Sequence, residues 1–523
     1  MKNSPVKRRF SFETALPVLL VLLALGARLL PGPRTIDDSY ITFRYARNLL
    51  QGEGFVYNPG ERVLGTTTPL YTLGMAGLAA LSGGADAPFP WLALALNALA
   101  DAGACLLLLY IGRRLGLRLA GAFAAAAWAL APFSVTFAIG GLETSLYVLL
   151  LTATAAAFLE QRRTATGLLA ALALLTRPDA LILVGPLMLQ RLWRALRKGE
   201  RLQAGELIAF FAPTLAWLLF ATLYFGSPIP HSVTAKTAAY QLPGTAALIR
   251  LLQHYATLFH QHYFLGTAGI AVGLVLFSAL EVIGGVYVWK HAPRLRAWVL
   301  YPLLYLAVFA VANPLIFRWY LTPPLPALFL LTFAGAERLL ERLPRREKAG
   351  AAAGRQILTI LLLALPLGSL LNAWTLHPDH GPDRPAPEMA FIQLELLYQQ
   401  AAERMLPEMS AGDAHVADVL AAGDVGVLGY VTRAAILDTV GLNSPQTLRY
   451  YPLPDEAYVI NYAVSTDLIL DEEPDWVVIL EVYGRNTLLQ DARFAERYRL
   501  YDSLPTDMYG SRDMLIFRAN GVP

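Results

Sequence analysis

Eleven apolar runs punctuate this chain, near residues 14–31, 90–111, 119–137, 143–159, 164–176, 180–190, 205–225, 263–289, 297–312, 319–336 and 356–374. A helix needs about 20 mainly apolar residues to cross a hydrocarbon core, and lipid offers a spanning backbone no outside hydrogen-bond partner, so each run is expected to be helical. With 56% hydrophobic and 15% charged residues and a mean hydropathy of +0.46, the chain reads as a polytopic α-helical membrane protein. A soluble, disordered or collagen-like chain is excluded. The fifth and sixth runs are short and joined by Thr176-Arg177-Pro178-Asp179, which fits a closely spaced pair or one broken helix. The first run follows Lys7, Arg8 and Arg9, and Pro31-Gly32-Pro33 comes after it rather than a small-residue cleavage site. It is expected to stay as an anchor with a cytoplasmic N-terminus.

The stretch 69–83 decides the sidedness of everything beyond it. If it lies flat on the outer surface, the inside segments 2–12, 112–118, 160–166, 191–204, 290–296 and 337–355 hold 23 Lys and Arg in 65 residues. The outside segments 32–89, 138–142, 177–179, 226–262 and 313–318 then hold only 8 in 109. Counting the stretch as a span would move 19 of the 23 outside, against the positive-inside rule. An interfacial helix is the expectation. The odd number of spans then puts the tail, residues 375–523, outside the cytoplasm. This tail is rich in Asp and Glu, with strand-like pieces such as 476–480 and helical ones such as 388–405, and it reads as a soluble α/β domain. The chain therefore divides into a membrane domain, 1–374, with an outer loop 32–89, and an exocytoplasmic domain, 375–523. Ala349 to Gly354 reads as a flexible inner loop.

Cys105 is the only cysteine and sits in an apolar run, which excludes a disulfide framework and a cysteine-ligated zinc. The net charge of +3 resides in clusters between the runs, with no basic stripe, so nucleic acid is excluded as a partner. No pair of histidines stands at helical metal spacing within a run. Gly423-Asp424-Val425-Gly426-Val427-Leu428-Gly429 lacks both the G-x-G-x-x-G spacing and a Walker lysine, and reads as a strand edge and turn.

After the first run comes Asp37-Asp38-Ser39-Tyr40, opening a helical stretch. Adjacent carboxylates at a membrane surface are costly unless they cap a helix, bind a cation or act as a base. Asp38 is placed to cap a helix beginning near Ile41, with Asp37 as a dipole-favoured neighbour. The run Asp37 to Asn48, with Tyr57-Asn58-Pro59-Gly60-Glu61 and Gly65-Thr66-Thr67-Thr68-Pro69-Leu70, resembles the first outer loop of GT-C-fold glycosyltransferases. The nearest likeness is to bacterial relatives of the mycobacterial terminal arabinofuranosyltransferases. Weaker matches follow at Gly141 to Thr144, Thr176 to Asp179, Gly226 to Pro230, Arg318-Trp319-Tyr320, and from Gly429-Tyr430 to Gly441-Leu442-Asn443.

The resemblance implies a GT-C-like core of about eleven transmembrane helices with an exocytoplasmic α/β C-terminal domain, in the cell inner (plasma) membrane. It implies transfer of a sugar from a polyprenyl-phosphate donor to a cell-envelope glycan, lipid or protein, with Asp37 and Asp38 containing the catalytic base. A single base and direct displacement predict inversion. Asp37 is the expected base, since Asp38 is the expected cap. The departing phosphate needs a cation, and Arg44, Arg177, Lys236 and Arg318 are the outside candidates. Each has a competing role: Arg44 snorkelling, Arg177 pairing with Asp179, Lys236 and Arg318 solvated or headgroup-facing. Glu143 and Asp179 are candidates for a cation site or the acceptor pocket, with helix-terminal capping the alternative for Glu143. His231, Tyr45 and Tyr320 complete the substrate-binding candidates, His231 with a plain loop role as its alternative. A divalent cation stays open. The competing functions are a polyprenyl-linked glycan flippase or transporter, which would bury charges within the spans, and an O-antigen-ligase-like enzyme, which would carry a late outer loop rich in Arg and His.

Overall fold

The computed structural model describes residues 12–259, 262–342, 349–372, 374, 392–409 and 418–521. Lys7, Arg8 and Arg9 lie outside these residues, as does the start of the helical piece at 388. The apolar runs become helices α1 (Phe12–Leu29), α4 (Phe89–Arg114), α5 (Arg118–Leu130) with α6 (Pro132–Ile139), α7 (Thr144–Leu159), α8 (Arg163–Thr176), α9 (Leu181–Lys198), α10 (Ala204–Phe225), α13 (His262–His291, broken at Gly266), α14 (Arg296–Ala312), α15 (Leu325–Glu341) and α16 (Ala349–Asn372). Between them lie α2 (Asp37–Gln51), α3 (Pro69–Ala80), α11 (His231–Ala239) and α12 (Ala246–Ala256). Among the described residues four helices are by themselves long and apolar enough to cross a membrane; α5 and α6, bent by 47°, make a fifth as a pair. Others are shorter, such as α7 and α8.

One expectation needs correction. Residues 349–354 are helical, because a run of four alanines with two glycines propagates the helix that the following apolar residues anchor. Residues 164–190 form the closely spaced pair of helices, since the extended backbone at Arg177 (φ −154°, ψ 135°) ends α8; α8 packs on α7 and α10, whereas α9 packs on α14. The stretch 69–83 yields only a 12-residue helix, α3, about 18 Å long and too short to span.

The membrane-side core brings α4 against α1, α5 and α7, and α13 against α15, around buried Trp128, Tyr147, Trp298 and Tyr301. At the α13–α15 crossing a Cβ on Gly335 would stand 2.0 Å from the Leu280 carbonyl, so backbones touch where the chain has no side chain to interpose. The spans are not charge-free: Arg28 and Asp101 are fully buried and bonded to each other at 2.9 Å, and Glu281 sits within α13.

The C-terminal part contains α17 (Ile392–Met409), α18 (Gly426–Thr432), α19 (Thr466–Glu472), α20 (Glu481–Gly484) and α21 (Ala492–Arg497) around a five-stranded sheet of order β2-β1-β3-β5-β4. β1 (Val419–Ala422) pairs parallel with β2 (Ala435–Asp438) and with β3 (Trp476–Leu480); β5 (Asp513–Ala519) pairs antiparallel with β3 and with β4 (Tyr498–Pro505). All five residues of β3 are buried, as its unbroken apolar run requires of a central strand covered on both faces. One of those faces is covered partly by the outer loop. Ile41, Tyr45, Phe55 and Tyr57 share a core with Tyr398, Leu428, Trp476 and Ile516. The outer loop is therefore wedged between helix bundle and sheet.

Candidate active site

All five segments that the charge count places outside converge on one cavity of about 520 Å³. Asp38 and Thr66 to Thr68 come from the first, Leu142 from the second, Arg177 and Asp179 from the third, Lys236 and Tyr240 from the fourth, Asn313 from the fifth; Glu143, Tyr320 and Leu442 complete the wall.

The two adjacent aspartates part company here. Helix α2 begins at Asp37, with Ile36 as its N-cap residue and no side-chain cap, so Asp38 does not cap a helix starting at Ile41. Asp37 turns toward the C-terminal part. Its Oδ2 and Oδ1 accept the Gly426 and Val427 amides at 2.8 and 2.7 Å, and its own amide donates to Glu395 Oε1 at 2.9 Å. Those acceptors receive the first amides of α18, where backbone N–H groups lack partners within the helix. Position 426 must be glycine, because a Cβ there would lie 1.8 Å from the Asp37 carbonyl oxygen. Burial, and then the Asp424 carboxylate, push the Asp37 pKa well above the usual carboxylate range, against the Val427 hydrogen bond that lowers it. Asp38, one residue on, lines the cavity, and no described residue donates a hydrogen bond or ion pair to its carboxylate. The expected order of the pair is thus reversed in geometry: Asp37 is tied up and Asp38 faces the opening.

The cations also separate. Arg177 is held twice, by Glu143 at 3.0 Å and by Asp179 at 2.9 Å, and its guanidinium lies 4.9 Å from the centroid of the Tyr320 ring. Two carboxylates around one guanidinium leave this cluster with excess negative charge. Lys236 has no carboxylate within ion-pair distance among the described residues, and its Nζ stands 4.6 Å over the Phe317 ring. Burial alone would lower its pKa, but Tyr320 and the Asp38 carboxylate raise it above the ordinary lysine value. It is a protonated amine facing the space Asp38 faces.

Arg44 lies elsewhere. It is buried and donates to the carbonyls of Tyr57, Gly429 and Ala434 and to Asn58, so it stitches the outer loop to the sheet and neither snorkels nor reaches the cavity. Tyr45 similarly donates to the Val63 carbonyl at 2.8 Å and reaches Asn443 Oδ1 at 3.2 Å, and its hydroxyl accepts from the amide of Gly65, a lining residue, without lining the cavity itself. His231 and Arg318 are each next to lining residues without lining the cavity themselves. The His231 amide donates to the Leu64 carbonyl, and burial lowers its imidazole pKa. Arg318 opens the tight turn that presents Trp319 and Tyr320.

The sequence reading missed Asp424. Of the segment 423–429, expected as a strand edge and turn, 423–425 is the turn that leaves β1 while 426–429 already belong to α18, and the turn carries this half-buried carboxyl next to the acid pair. Tyr398 donates to Asp424 Oδ2 at 2.6 Å. Burial, with Asp38 adding, pushes Asp424 up to about 6, against the Tyr398 hydrogen bond and Lys236. No local signal links position 424 to position 38; only the tertiary fold does.

This arrangement of helices, outer loop and capping domain is shared with solved structures. ArnT from Cupriavidus metallidurans in the apo state superposes with a TM-score of 0.59 at 14% identity, covering 98% of each chain. The same protein bound to undecaprenyl phosphate gives 0.54 at 13% identity, covering 97% of each. The Archaeoglobus fulgidus oligosaccharyltransferase, in complex with zinc and sulfate, gives 0.52 at 12% identity over 94% of this chain and 72% of that one. The chain has the GT-C fold. Arabinofuranosyltransferase AftD from mycobacteria aligns over 97% of this chain and 40% of its own, at TM-score 0.48 and 14% identity. Within the fold, residues 392–517 match a family described as a domain of unknown function, DUF8728. No curated protein matches the sequence. The GT-C fold makes the chain a multi-pass membrane protein whose cavity lies where helix bundle, outer loop and C-terminal sheet meet.

Proposed function

We propose that the protein is an inverting glycosyltransferase of the inner membrane that moves a sugar from a polyprenyl-phosphate donor to a hydroxyl of a cell-envelope glycan, lipid or protein. The observation that carries this reading is that a carboxylate, Asp38, and an ammonium, Lys236, neither with a hydrogen-bond or ion-pair partner among the described residues, line the same cavity. Asp38 accepts the proton of the acceptor hydroxyl. The freed oxygen bonds to the anomeric carbon as the bond from that carbon to the phosphate oxygen breaks, and polyprenyl phosphate departs with the electron pair. Lys236 stabilises the charge that collects on the phosphate. Arg177, pinned by Glu143 and Asp179, is a rigid donor and acceptor array for sugar hydroxyls rather than a phosphate clamp. A fold neighbour solved with undecaprenyl phosphate supports the donor class. The charge asymmetry of the loops supports a cytoplasmic N-terminus and an exocytoplasmic cavity and C-terminal domain, with α3 along the outer interface.

Another fold neighbour is solved with zinc, but the described residues contain no group of three His, Cys, Asp or Glu side chains placed to hold a metal ion. A divalent cation therefore has no assigned residues in this reading. The transport alternative expects charges buried within the spans, and Arg28, Asp101 and the half-buried Glu281 are such charges; the Arg28–Asp101 pair, however, is closed by its own hydrogen bonds with Ser134 and Trp128, which suits an anchor rather than a path. The ligase-like alternative expects Arg and His from the loop 226–262 in the site, whereas among the described residues the one basic residue this loop brings to the cavity lining is Lys236.

Purified protein incubated with a panel of polyprenyl-phosphate sugars is expected to release polyprenyl phosphate with one or a few of them, and nucleotide sugars are expected not to substitute. Release from none of them in the presence of envelope acceptors, or release from a nucleotide sugar, overturns the reading.

A further inference from the structure

Beyond Asp179, where the chain leaves the cavity wall for α9, a cleft lies between α9 and α10 that shares no lining residue with the cavity. α9 leans on α14 and α10 on α8, and about 450 Å³ of space separates the two helices. Its walls are apolar for most of their length: Val184, Met188 and Leu192 on α9, Leu207 and Phe211 on α10. From Leu181 to Arg191 it runs about 15 Å at the helical rise per residue.

At the end near the inside segments the lining changes to Arg163, Arg191, Arg194 and Arg294, with Glu200 and Glu206. Four guanidiniums meet two carboxylates. Glu206 is spent on Arg191, at 2.8 and 3.1 Å. Glu200 is shared among Arg163, Arg191 and Arg194 at 3.4, 3.6 and 3.8 Å, too far to satisfy all three. Arg294 makes no ion pair or hydrogen bond among the described residues. Arg191 is 8% exposed, and its Nη1 and the Arg194 Nε are closed off from solvent without a hydrogen-bond partner. Buried donors left unmade are costly, and here they stand at the mouth of an apolar slot long enough for much of an acyl chain. A soluble anion would satisfy the arginines and leave the slot empty; a zwitterionic lipid would fill the slot and bring a cation to the arginines. An anionic phospholipid answers both halves.

We propose that this cleft is a binding site for an anionic phospholipid, its phosphate on Arg194 and Arg294 and one acyl chain lying between α9 and α10. The site is separate from the sugar-transfer cavity and does not depend on the reaction proposed there.

The test uses the full-length protein, lipid-stripped and then reconstituted in nanodiscs of phosphatidylglycerol, phosphatidylcholine or a mixture, with bound lipid counted by native mass spectrometry after release. Arg194→Gln with Arg294→Gln removes charge. Gly185→Leu fills the slot, where the nearest atom to an added Cβ is Leu181 Cδ1 at 3.8 Å. Lys198→Gln, an exposed cation on the same helix outside the lining, is the control. The wild type is expected to retain phosphatidylglycerol about tenfold over phosphatidylcholine, the arginine double variant and Gly185→Leu to lose about tenfold in that retention, and the control to match the wild type. Melting in lipid-free detergent verifies that each variant is folded, and Arg294→Gln alone replaces the double variant if it is not. Equal retention of the two lipids, unchanged retention in the arginine variants, or loss in the control overturns the proposal. Glycerol phosphate competing as well as the whole lipid, with Gly185→Leu unaffected, makes this a soluble-anion site and overturns the lipid assignment.

Discussion

Arg28–Asp101 and the group around Arg177 are both buried charge clusters, but they differ in what is left over. Arg28 donates to Asp101, Ser134 and the carbonyls of Trp128 and Ala129, while Asp101 also accepts from Trp128 Nε1 and Ser145. Every part of that pair is used, and five helices, α1, α4, α5, α6 and α7, are tied by it. The outer cluster is built around an equally buried guanidinium, Arg177, yet beside it stand Asp38 and Lys236 with unused hydrogen-bonding capacity facing open space. Buried charge by itself therefore marks an anchor as readily as a site. Unspent capacity turned toward a cavity is what distinguishes the second.

Breaking the anchor is expected to have the largest effect. Arg28→Ala leaves Asp101 buried without its cation and should destabilise the fold by about 3–5 kcal/mol, read as a drop in thermal midpoint or loss of folded protein. Arg28→Met with Asp101→Leu should recover much of that loss, since the pair contributes little once both charges are gone. A stable, fully active Arg28→Ala variant would remove the distinction between the two clusters.

Next comes the pH dependence at Asp424. Its folded pKa of about 6 lies above the ordinary value of 3.8, so the folded state favours the protonated form. Its contribution to stability is present in full below about pH 4, is lost as pH rises toward 6 and is constant above that, a swing on the order of 2–3 kcal/mol. Asp424→Asn should flatten that part of a pH–stability curve. An unchanged slope would mean that Asp424 ionises as freely as it does in the unfolded chain.

Lys236→Gln sharpens the comparison from the other side. Removing an unpaired cation should leave the thermal midpoint within about 0.5 kcal/mol while weakening use of the donor about 10–100-fold, seen as a fall in kcat/KM. Arg177→Gln should do the reverse, losing stability because Glu143 and Asp179 are left unpaired in a buried site. The smallest effect is expected at Asp37→Asn, which keeps one acceptor for the α18 amides and should cost about 1 kcal/mol, the scale of a helix cap.

The architecture was largely legible because lipid enforces it: most of the apolar runs coincide with helices to within about three residues, while α9 extends past its run, α15 begins after its run starts and α16 begins before its own. The partnership of Arg177 with Asp179 was legible too, since only Pro178 separates them. The roles within Asp37-Asp38 were not. They are set by Gly426 and Val427, almost 400 positions away, and the helical periodicity that suggested Asp38 as a cap says nothing about which carboxylate a distant helix will claim. Arg44 misled for the same reason, as carbonyls at Gly429 and Ala434 absorb it. Arg28, at the end of a span, looks like a snorkelling residue until Asp101, itself inside an apolar run, is seen to face it.

The central claim is that the carboxylate facing the cavity is the base and its neighbour is an anchor. Turnover of the accepted polyprenyl-phosphate sugar by Asp38→Asn and by Asp37→Asn, measured side by side with donor affinity and thermal midpoint, tests it most directly. The account predicts a fall of about 10²–10⁴-fold in kcat for Asp38→Asn with donor affinity and midpoint held, against a loss below about tenfold for Asp37→Asn accompanied by a lower midpoint. Full activity in Asp38→Asn, or the large loss falling on Asp37→Asn at unchanged stability, would contradict it.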